Sequence, residues 1–578
     1  MLNQDLAKIF YEIADLLEAD RVAFKPLAYR KAAMSLEAAE ENVFDLYKTG
    51  GLKALEDIPG VGISIAEKIE EFIKTGKIAY YEELRRGLPI NLEEITAVEG
   101  VGPKRAKVLY QKLGIKNLDD LEAAAKNHKI AKLAGFGVTS ESNILQGIDF
   151  QRRSLGRFLL GTILPRAREI QKMVEQFSGV KIVEIAGSLR RRKETIGDVD
   201  LLAIIAARPG HDAVKQLMDK FTTQPGVEKI WGKGATKASV RLSDGFDVDL
   251  RILPQRSFGA ALQYFTGSKE HNVAIRRIAI GKGLKLSEYG LFRGAKMLPS
   301  STEEVIYQQL GLEWIPPEIR ENEGEIQAAK AGKLPKLIEY GSLKGDLHCH
   351  SDWDGGHNSI EEIAQAAIAR GYEYVGIADH TKQLSIERGL DEKELQKRNV
   401  EIDKLNKKYK GFRILKGCEA NIKNDGSIDI DDSALSQLDF VIAGVHSSHK
   451  LDKEAQTKRV LAAMANPNVD IISHPTGRLL KKRESIELDM EKVFAAAAKT
   501  GTILEINSQP MRLDLNDHNI RRAKDYGIKM VINTDVHVIE HMHYAEYGIA
   551  QARRGWATKE DIINVHPLEK LMSYFKKN

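Results

Sequence analysis

Residues Gly187 to Asp200 read GSLRRRKETIGDVD, and residues Phe246 to Leu253 read FDVDLRIL. Side chains alternate faces along a strand, so Asp198 and Asp200 point to the same side. Two adjacent carboxylates repel each other unless cations lie between them, and Asp249 on a neighbouring strand would complete a cage for two divalent ions. The pattern predicts an α+β domain with a two-metal site for nucleotidyl transfer.

The sequence before Asp198 provides groups that bind phosphate. The Gly187-Ser188 turn offers backbone N–H groups and a hydroxyl, and Arg190 to Lys193 add cations. Residues 151–193 contain eleven Lys or Arg against three Asp or Glu, although the net charge of the whole chain is only +4. An isolated acidic pair would indicate the solvated start of a strand, but these neighbouring motifs favour the metal site.

A second set of motifs makes a family resemblance specific. Residues Tyr264 to Ser268 read YFTGS, and LSEYGLF follows at 286–292. Together with GS…GDVD…DVDLR, these motifs closely resemble the family X DNA polymerases, the beta-like repair enzymes, from the first residues to about Trp314. The resemblance implies that Asp198, Asp200 and Asp249 hold two Mg²⁺ or Mn²⁺ ions.

The same resemblance assigns a nucleotide site. The incoming triphosphate would be contacted by Gly187, Ser188, Arg191 and Gly197. The sugar, the nascent base pair and the template would lie beside Tyr264, Phe265, Gly267, Asn272 and Arg276. Asp247 shares a strand face with Asp249 but has no acidic counterpart in the family, which indicates a supporting position.

Two copies of one motif predict a grip on DNA. Residues 58–69 (IPGVGISIAEKI) and 98–109 (VEGVGPKRAKVL) both place Gly-Val-Gly before an amphipathic helix. The glycines allow a tight turn, and the helix N-terminus presents free N–H groups to an anion. This is a helix-hairpin-helix contact with the phosphate backbone, without base reading. Its glycines are Gly60, Gly62, Gly100 and Gly102. A looser third copy at 133–145 lacks basic residues and is interpreted as a helical turn.

The first hairpin also carries Lys68, and the segment 24–33 (FKPLAYRKAA) supplies Lys25, Tyr29 and Arg30. By resemblance, this domain binds the 5′-phosphate of gapped or nicked DNA, and Lys68 is the candidate Schiff-base nucleophile of a 5′-dRP lyase. A lysine attacks as a neutral amine only when its pKa is lowered. Few cations lie nearby in the sequence, so binding of the 5′-phosphate is the firmer expectation.

Twelve of the 15 histidines follow residue 340, in clusters that come after apolar runs. The clusters are GDLHCHSDWDGG, IADH, GCEANI, AGVHSS, ISHP and NTDVH. Ligands at the carboxyl ends of successive strands occur where an α/β barrel builds its site. The pattern predicts a metal site on such a barrel.

These clusters resemble the polymerase-and-histidinol-phosphatase (PHP) domain, a distorted TIM-like α/β barrel with a trinuclear centre. The resemblance implies up to three Zn²⁺ or Mn²⁺ ions. The implied ligands are His348, His350, Asp354, His380, Glu419, His446, His474, Asp535 and His537. The first acidic position stays open between Asp352 and Asp354. Cys349 and Cys418 are interpreted as packing residues.

We expect a multi-domain chain of six segments. These are an all-α helix-hairpin-helix domain (1–85), a fingers-like helical domain (86–150), a palm (151–255), a thumb (256–315), a linker (316–342) and the PHP domain (343–578). Only two cysteines and no secretory or membrane-spanning pattern predict a reduced cytoplasm and no membrane contact. The chain is also expected to be a monomer.

The motifs together predict a prokaryotic family X DNA polymerase that fills short gaps in base excision repair, using dNTPs. Its PHP domain would act as a 3′–5′ exonuclease, a 3′-end-processing enzyme or an AP endonuclease. Three alternatives are a small-molecule phosphatase, a non-catalytic repair scaffold that binds DNA ends, and an RNA or antibiotic nucleotidyltransferase. The hairpins argue against the first, the intact acids in both sites argue against the second, and the YFTGS motif argues against the third. Because a linker is expected between them, the two sites are expected to act independently.

Overall fold

In the computed structural model, the described residues are 2–39, 41–98, 100–153, 156–205, 211–384 and 387–576. Within these ranges, no helix combines the length and the apolar content that crossing a bilayer requires. The chain consists of a helical N-terminal part, an α+β middle and a C-terminal α/β barrel. The predicted fold class is therefore confirmed.

The N-terminal part is built from amphipathic helices that share one core. Phe10, Ile69, Leu109 and Ile144 are all buried in it, so the two predicted helical domains pack as one body. The helices are α1 (Leu2–Ala19), α2 (Lys25–Ala38), α3 (Val43–Glu56), α4 (Ile63–Thr75), α5 (Ala79–Gly87), α6 (Leu92–Thr96), α7 (Pro103–Leu113), α8 (Leu118–Lys126) and α9 (Val138–Arg153).

The hairpin turns of this part repeat one backbone geometry. Gly60 and Gly100 have φ values of 77° and 84°, and α4 and α7 each begin three residues later. A positive φ of this size favours glycine. Gly135, in the loose third copy, also has a φ of 84°, and α9 again begins three residues later. The third copy therefore repeats the backbone of the hairpins, although it lacks their basic side chains.

The middle of the chain contains a five-stranded sheet in the order β2-β4-β7-β6-β5. Strands β4 and β7 run parallel, and the other pairs are antiparallel. The buried run Leu201–Ile205 makes β4 a central strand. The elements are β1 (Phe158–Leu159), α10 (Leu160–Glu175), β2 (Val180–Ile185), α11 (Gly187–Arg190), β3 (Thr195–Ile196), β4 (Asp198–Ile205), α12 (His211–Thr222), β5 (Val227–Lys233), β6 (Lys237–Leu242) and β7 (Asp247–Ile252).

The next part packs helices on a small antiparallel sheet in the order β10-β9-β8. Its core contains Ile275, Leu291 and Ile306. The elements are α13 (Phe258–Thr266), α14 (Lys269–Gly281), β8 (Lys285–Ser287), β9 (Gly290–Arg293), β10 (Lys296–Met297), α15 (Glu303–Gln309) and α16 (Glu325–Ala331).

The segment 316–342, which the sequence predicts as a linker, is packed into this core. Ile319 and Ile326 are buried among its apolar side chains. The fully buried guanidinium of Arg320 donates to both oxygens of Glu303, at 2.5 and 3.0 Å. The Pro, Gly and charged residues of this segment are typical of a linker. The sequence alone does not show that the charged side chains have buried partners.

The C-terminal barrel has two parallel sheets, β11-β12-β13 and β14-β15-β16-β17-β18. Single bridges join the two sheets, from His380 to Glu419 and from Cys349 to Val536. Cys349 and Cys418 lie in apolar clusters, as predicted. The elements are β11 (Gly345–Cys349), α17 (Ile360–Ala369), β12 (Tyr374–Ile377), α18 (Glu392–Lys408), β13 (Arg413–Lys416), β14 (Glu419–Asn421), α19 (Asp432–Leu435), β15 (Ile442–Gly444), α20 (Lys453–Ala465), β16 (Ile471–Ile472), α21 (Met490–Thr500), β17 (Ile503–Asn507), α22 (Asp517–Asp525), β18 (Met530–Asn533), α23 (Ala545–Arg554) and α24 (Leu568–Met572).

Candidate active sites

The three predicted palm acids lie at the start of two paired strands. Asp200 on β4 is the register partner of Asp249 on β7, and Asp198 is the partner of Asp247. Since partners in a parallel pair project from the same face, all four acids lie on one side of the sheet. The structure therefore brings the predicted metal ligands together.

The electrostatics of these acids fit a cation site. Burial, followed by the charges of Asp198 and Asp249, raises the pKa of Asp200 to about 6. Burial and the neighbouring acids also raise the pKa of Asp198. Two cations of the protein lie near Asp249 Oδ2, Lys237 Nζ at 2.8 Å and Arg251 Nη2 at 3.5 Å. Divalent ions between these carboxylates would remove the repulsion that raises both pKa values.

Asp247 differs from its neighbours because protein donors already neutralise it. Arg241 donates to both of its oxygens at 2.6 and 2.9 Å, and Trp231 Nε1 donates to Oδ1 at 2.7 Å. The bonds from Arg241 are the main reason why the pKa of Asp247 is lowered. Asp247 is therefore a weaker candidate for a metal ligand than the three other acids.

The turn that precedes the acids lies against them. Gly187 begins α11 with a φ of 65°, and a Cβ at this position would lie 2.9 Å from Asp200 Oδ2. Both the backbone and the space therefore require glycine. Ser188 follows in the same turn and is half-buried, and Gly197 directly precedes Asp198.

Arg191 extends from this turn to the YFTGS segment. Its Nη1 donates to the backbone oxygen of Thr266, and a Cβ at Gly267 would lie 2.8 Å from the same nitrogen. Its Nε donates to Glu321 Oε1 at 3.1 Å. The predicted triphosphate contact is thus held between the turn and α13.

The other predicted nucleotide contacts surround α13 and α14. The Asn272 side chain donates to the Tyr264 backbone oxygen at 2.6 Å, so it fixes the end of α13. The Phe265 ring lies under the Arg251 guanidinium, 4.5 Å away, and packs edge-on against Tyr264. Arg276 is exposed, one turn further along α14.

In the barrel, Glu419 at the start of β14 is the centre of the predicted ligand cluster. Both of its carboxylate oxygens face imidazole nitrogens, and carboxylate and imidazole are ligand types that suit Zn²⁺ or Mn²⁺. The distances are, from Oε2, 3.2 Å to His348 Nε2, 3.7 Å to His350 Nε2 and 3.0 Å to His380 Nδ1, and from Oε1, 3.1 Å to His446 Nε2 and 3.0 Å to His474 Nε2.

Asp535 forms a second centre beside Glu419. Its Oδ1 lies 3.7 Å from His348 Nε2, 3.4 Å from His350 Nε2 and 3.9 Å from His537 Nδ1. Several sets of three ligand atoms in this cluster lie within 4.8 Å of one another. All nine predicted ligands are therefore brought together at one end of the barrel.

The donors of the cluster fit a metal centre. Five buried atoms of the predicted ligands have no hydrogen-bond partner of suitable geometry, namely His348 Nε2, His350 Nε2, His380 Nδ1, Glu419 Oε2 and His474 Nδ1. Leaving such atoms unsatisfied costs free energy, which coordinated cations would offset. Burial lowers the pKa of His446 to about 4 and that of His537 to about 3, so both imidazoles are neutral at pH 7, the form that binds metals. Although burial opposes it, the nearby carboxylates raise the pKa of His348 and, to about 10, that of His350, so binding of cations there would release protons.

The carboxylate of Asp354 is buried in the cluster, whereas Asp352 is exposed. Asp354 Oδ2 accepts a hydrogen bond of 2.8 Å from the backbone N–H of His380, and it lies 2.8 Å from His350 Nδ1. The other oxygen, Oδ1, accepts a hydrogen bond of 3.0 Å from the backbone N–H of Gly356. Asp354 is thus the acid at this site, and it contacts the nitrogen of His350 that faces away from Glu419.

Sequence reasoning missed the groups that orient the histidines. Glu505 Oε1 lies 2.7 Å from His348 Nδ1, and Asn421 Oδ1 lies 2.8 Å from His446 Nδ1. Such partners fix the tautomer of a metal-binding imidazole. Glu505 could have been recognised from the sequence as the one acid within the apolar run ILEIN, which forms β17. Asn421 follows Glu419 by two residues in β14, and so lies on the same strand face.

The N-terminal contacts divide into exposed and buried groups. Lys68 Nζ donates to the Ser64 backbone oxygen at 3.0 Å and lies 5.2 Å above the Tyr80 ring. Burial is the largest effect on the pKa of Lys68 and lowers it. Glu67 and Glu71 oppose this shift, and Lys25 adds a smaller lowering. In contrast, Tyr29 is buried and packs against Tyr80.

Arg30, next to Tyr29, is occupied by acids of the same domain. Its guanidinium pairs with Asp15 at 2.6 Å and with Glu18 at 2.7 Å. The helices after the hairpin glycines, α4 and α7, have glycine N-caps, Gly62 and Gly102, and neither has a side-chain capping bond. Their N-terminal N–H groups are therefore available to an anion.

Comparisons with known proteins agree with this architecture. Family models match residues 1–78 (helix-hairpin-helix domain), 92–149 (SAM-like helix-hairpin-helix tandem), 261–321 (DNA polymerase beta thumb) and 346–509 (PHP domain). Over the full length of both chains, this protein is 37% identical to the DNA polymerase/3′-5′ exonuclease PolX of Bacillus subtilis (strain 168).

Two further relatives match one half of the chain each. DNA polymerase lambda of Rattus norvegicus is 27% identical over 52% of both chains. A protein named "Probable phosphatase" from Thermoanaerobacter sp. (strain X514) is 28% identical over 40% of this chain and 94% of its own. The fold and the sites thus define a beta-like polymerase joined to a PHP domain. The chain belongs to the family X DNA polymerases, in the PolX group that carries a C-terminal PHP domain.

Proposed function

We propose that this chain fills short gaps in DNA with its palm and processes 3′ ends with its barrel. The observation that carries the synthesis half is the register pairing of Asp200 with Asp249, which gathers three carboxylates beside the Gly187 turn. The full-length similarity to a DNA polymerase/3′-5′ exonuclease supports both halves. A metabolite phosphatase would need neither the palm acids nor the hairpins.

In the palm, Asp198, Asp200 and Asp249 would hold two Mg²⁺ or Mn²⁺ ions. Bound ions supply the positive charge that favours ionisation of the primer 3′-hydroxyl and departure of pyrophosphate. Arg191 and the N–H groups of the Gly187 turn bind the triphosphate. The remaining assignments are Ser188 and Gly197 at the phosphates, Tyr264, Phe265 and Gly267 beside the sugar, and Asn272 and Arg276 near the base pair and the template.

In the barrel, up to three Zn²⁺ or Mn²⁺ ions would be held by His348, His350, His380, Glu419, His446, His474, Asp535 and His537. Bound ions supply a nucleophilic hydroxide and charge that neutralises a phosphodiester. Since three donors already surround the Asp354 carboxylate, we assign Asp354 to orienting His350. Its substrates would be 3′ ends of DNA, including phosphorylated ends and abasic sites.

The N-terminal domains would hold gapped or nicked DNA through the turns at Gly60 and Gly100, and the chain would act as a monomer. Lys25 and Lys68 would contact the 5′-phosphate. The partners of Tyr29 and Arg30 within the domain indicate that they shape this site.

Lys68 is the proposed nucleophile of a 5′-dRP lyase. Its neutral amine would attack the sugar aldehyde and expel water, which gives a Schiff base. The lowered pKa of Lys68 supports this role, because a larger fraction of the amine is then neutral near pH 7.

A duplex with a one-nucleotide gap and a 5′-phosphate tests both halves together. With dNTPs and Mg²⁺ or Mn²⁺, the 3′-hydroxyl primer should lengthen by one nucleotide, and without dNTPs it should shorten. If the primer lengthens but never shortens, the barrel assignment fails. If it shortens but never lengthens, the palm assignment fails.

A further inference from the structure

The basic loop of the palm, residues 191–194, is held by the C-terminal barrel. The backbone oxygen of Arg191 accepts a hydrogen bond of 2.8 Å from Arg554 Nη1, at the end of α23. At the other end of the loop, Glu194 forms two hydrogen bonds with Arg478, at 3.1 and 2.6 Å. Between them, Arg192 lies 3.3 Å from Glu546. Asp198 follows this loop by only four residues, so the barrel contacts the approach to the palm acids.

Glu321 joins Arg554 to the side chain of Arg191. Its Oε1 accepts from Arg191 Nε at 3.1 Å and from Arg554 Nη1 at 3.0 Å, and it lies 3.5 Å from Lys193 Nζ. Although burial raises the pKa of Glu321, these three cations together hold it below its ordinary value. Glu321 is therefore ionised at neutral pH and attracts both guanidinium groups.

Arg554 is itself held firmly. Its side chain is 1% exposed, and its Nη2 donates to Asp517 Oδ2. A buried guanidinium with two carboxylate partners has little freedom to move, so it restrains the positions of the groups that it contacts. The opposite side of the Arg191 guanidinium is fixed by the backbone oxygen of Thr266.

We propose that Arg554 of the barrel is a positioning residue of the polymerase site, which fixes Arg191 through its backbone oxygen and through Glu321. This inference rests on the proposed role of Arg191 in binding the triphosphate. Arg554 touches neither DNA nor nucleotide. Its loss allows Glu321 to draw the Arg191 guanidinium away from the phosphate position, and the loop loses a fixed point. The barrel thereby sets the nucleotide affinity of the palm without sharing its chemistry.

Arg553 provides a matched control. It neighbours Arg554 on α23 and also binds the segment 316–342, through Glu318 at 2.8 Å and the Ile338 backbone oxygen at 2.7 Å. Within the described residues, no hydrogen bond or ion pair joins Arg553 to Arg191 or Glu321. A loss of barrel packing alone would affect variants of both arginines.

The test is steady-state gap filling by the full chain, with KM for dNTP and kcat measured separately. Arg554→Met should raise KM at least about fivefold, the lower end of usual coupling between protein sites, and change kcat less. Arg553→Met should leave KM within about twofold, and 3′–5′ exonuclease activity of both variants reports an intact barrel. Arg554→Lys, which keeps the positive charge, should have a KM for dNTP between that of Arg554→Met and that of the unaltered chain.

Two further variants separate this inference from the function on which it rests. Glu321→Gln should raise KM, and the Glu321→Gln/Arg554→Met double variant should be less impaired than two independent effects predict. If Arg191→Ala raises KM but Arg554→Met does not, or if Arg553→Met raises it equally, positioning by Arg554 is wrong while the palm assignment stands. If Arg191→Ala leaves KM unchanged, the triphosphate role and the positioning role both fail.

Discussion

Asp200 and Asp249 are register partners in adjacent parallel strands, and their carboxylates leave the sheet on the same face. Asp247 lies on that face as well, but Arg241 and Trp231 neutralise it. The acids of this face therefore fall into two kinds. Asp247 is satisfied by protein donors, whereas burial and neighbouring acids raise the pKa of Asp198 and Asp200, and no cation of the protein pairs with either of them within the described residues. Asp249 lies between the two kinds, because it faces Lys237 and Arg251 as well as these acids.

Asn substitutions test this division. Asp198→Asn, Asp200→Asn or Asp249→Asn should reduce single-turnover primer extension by roughly a hundredfold or more, because metal-held charge contributes several kcal/mol to the transition state. The affinity for gapped DNA, measured by fluorescence anisotropy, should change little. Asp247→Asn is the matched control and should retain most of the extension rate. Equal losses from Asp247→Asn and Asp249→Asn would contradict the assignment.

The two acids of the Asp352–Asp354 segment predict different outcomes. Asp354→Asn should lower exonuclease activity by about 10- to 100-fold, as loss of a group that orients a metal-binding histidine usually does. Asp352→Asn should leave the activity near that of the unaltered chain, since this side chain lies outside the cluster. The metal content per chain of both variants should be measured by mass spectrometry together with their exonuclease rates. A stronger effect at Asp352 would overturn the placement of the acid.

The lowered pKa of Lys68 predicts a pH dependence. Only the neutral amine attacks an aldehyde, so borohydride trapping of an abasic 5′ end should rise with pH as Lys68 loses its proton. Lys25→Gln removes a nearby cation, which raises the pKa of Lys68 and should move the rising limb to higher pH. Lys77→Gln, at an exposed position after α4, is the control and should not move it.

Lys68→Ala should abolish this trapping. A trapped product that persists in Lys68→Ala would show that another amine is the nucleophile. An unchanged pH profile in Lys25→Gln would show that Lys25 does not act on Lys68.

The hairpin at Gly100 predicts a change in salt dependence. An alanine at a φ of 84° is strained by about 1 kcal/mol, and a backbone shift that relieves this strain displaces the N–H groups at the start of α7. Gly100→Ala should weaken binding of gapped DNA and flatten the plot of log Kd against log salt, because a phosphate contact is lost. Gly76→Ala introduces similar strain at a φ of 71° after α4, away from the turn, and should bind normally. An equal loss from both would assign the effect to stability.

Local sequence predicted the parts of the sites that depend on spacing. Asp198 and Asp200 are two residues apart, so their shared face follows from strand geometry, and His348 and His350 repeat that logic in the barrel. The partners of these groups could not be predicted in this way. Glu505 lies 157 positions from His348 along the chain, and only the closed barrel brings them within 2.7 Å.

The contacts between the domains, which could not be predicted from the sequence, are made by charged pairs that are far apart along the chain. The segment 316–342 has the composition of a linker, but its Arg320 forms an ion pair with Glu303. Its Glu321 forms an ion pair with Arg554, which is 233 positions away along the chain. Such pairings depend on how finished domains pack, which hydrophobic periodicity does not encode. The expectation of separate sites thus holds for their ligands, while the bodies that carry them are in direct contact.

The most direct test of two chemistries in one chain uses a primer with a 3′-phosphate in a one-nucleotide gap, with dNTPs and Mn²⁺. The unaltered chain should remove the phosphate and extend the primer. Glu419→Gln, which alters the carboxylate at the centre of the barrel cluster, should leave this primer blocked but extend an identical primer with a 3′-hydroxyl. Asp198→Asn should remove the phosphate without extension. Extension of the blocked primer by Glu419→Gln, or loss of phosphate removal in Asp198→Asn, would contradict the existence of two separate sites.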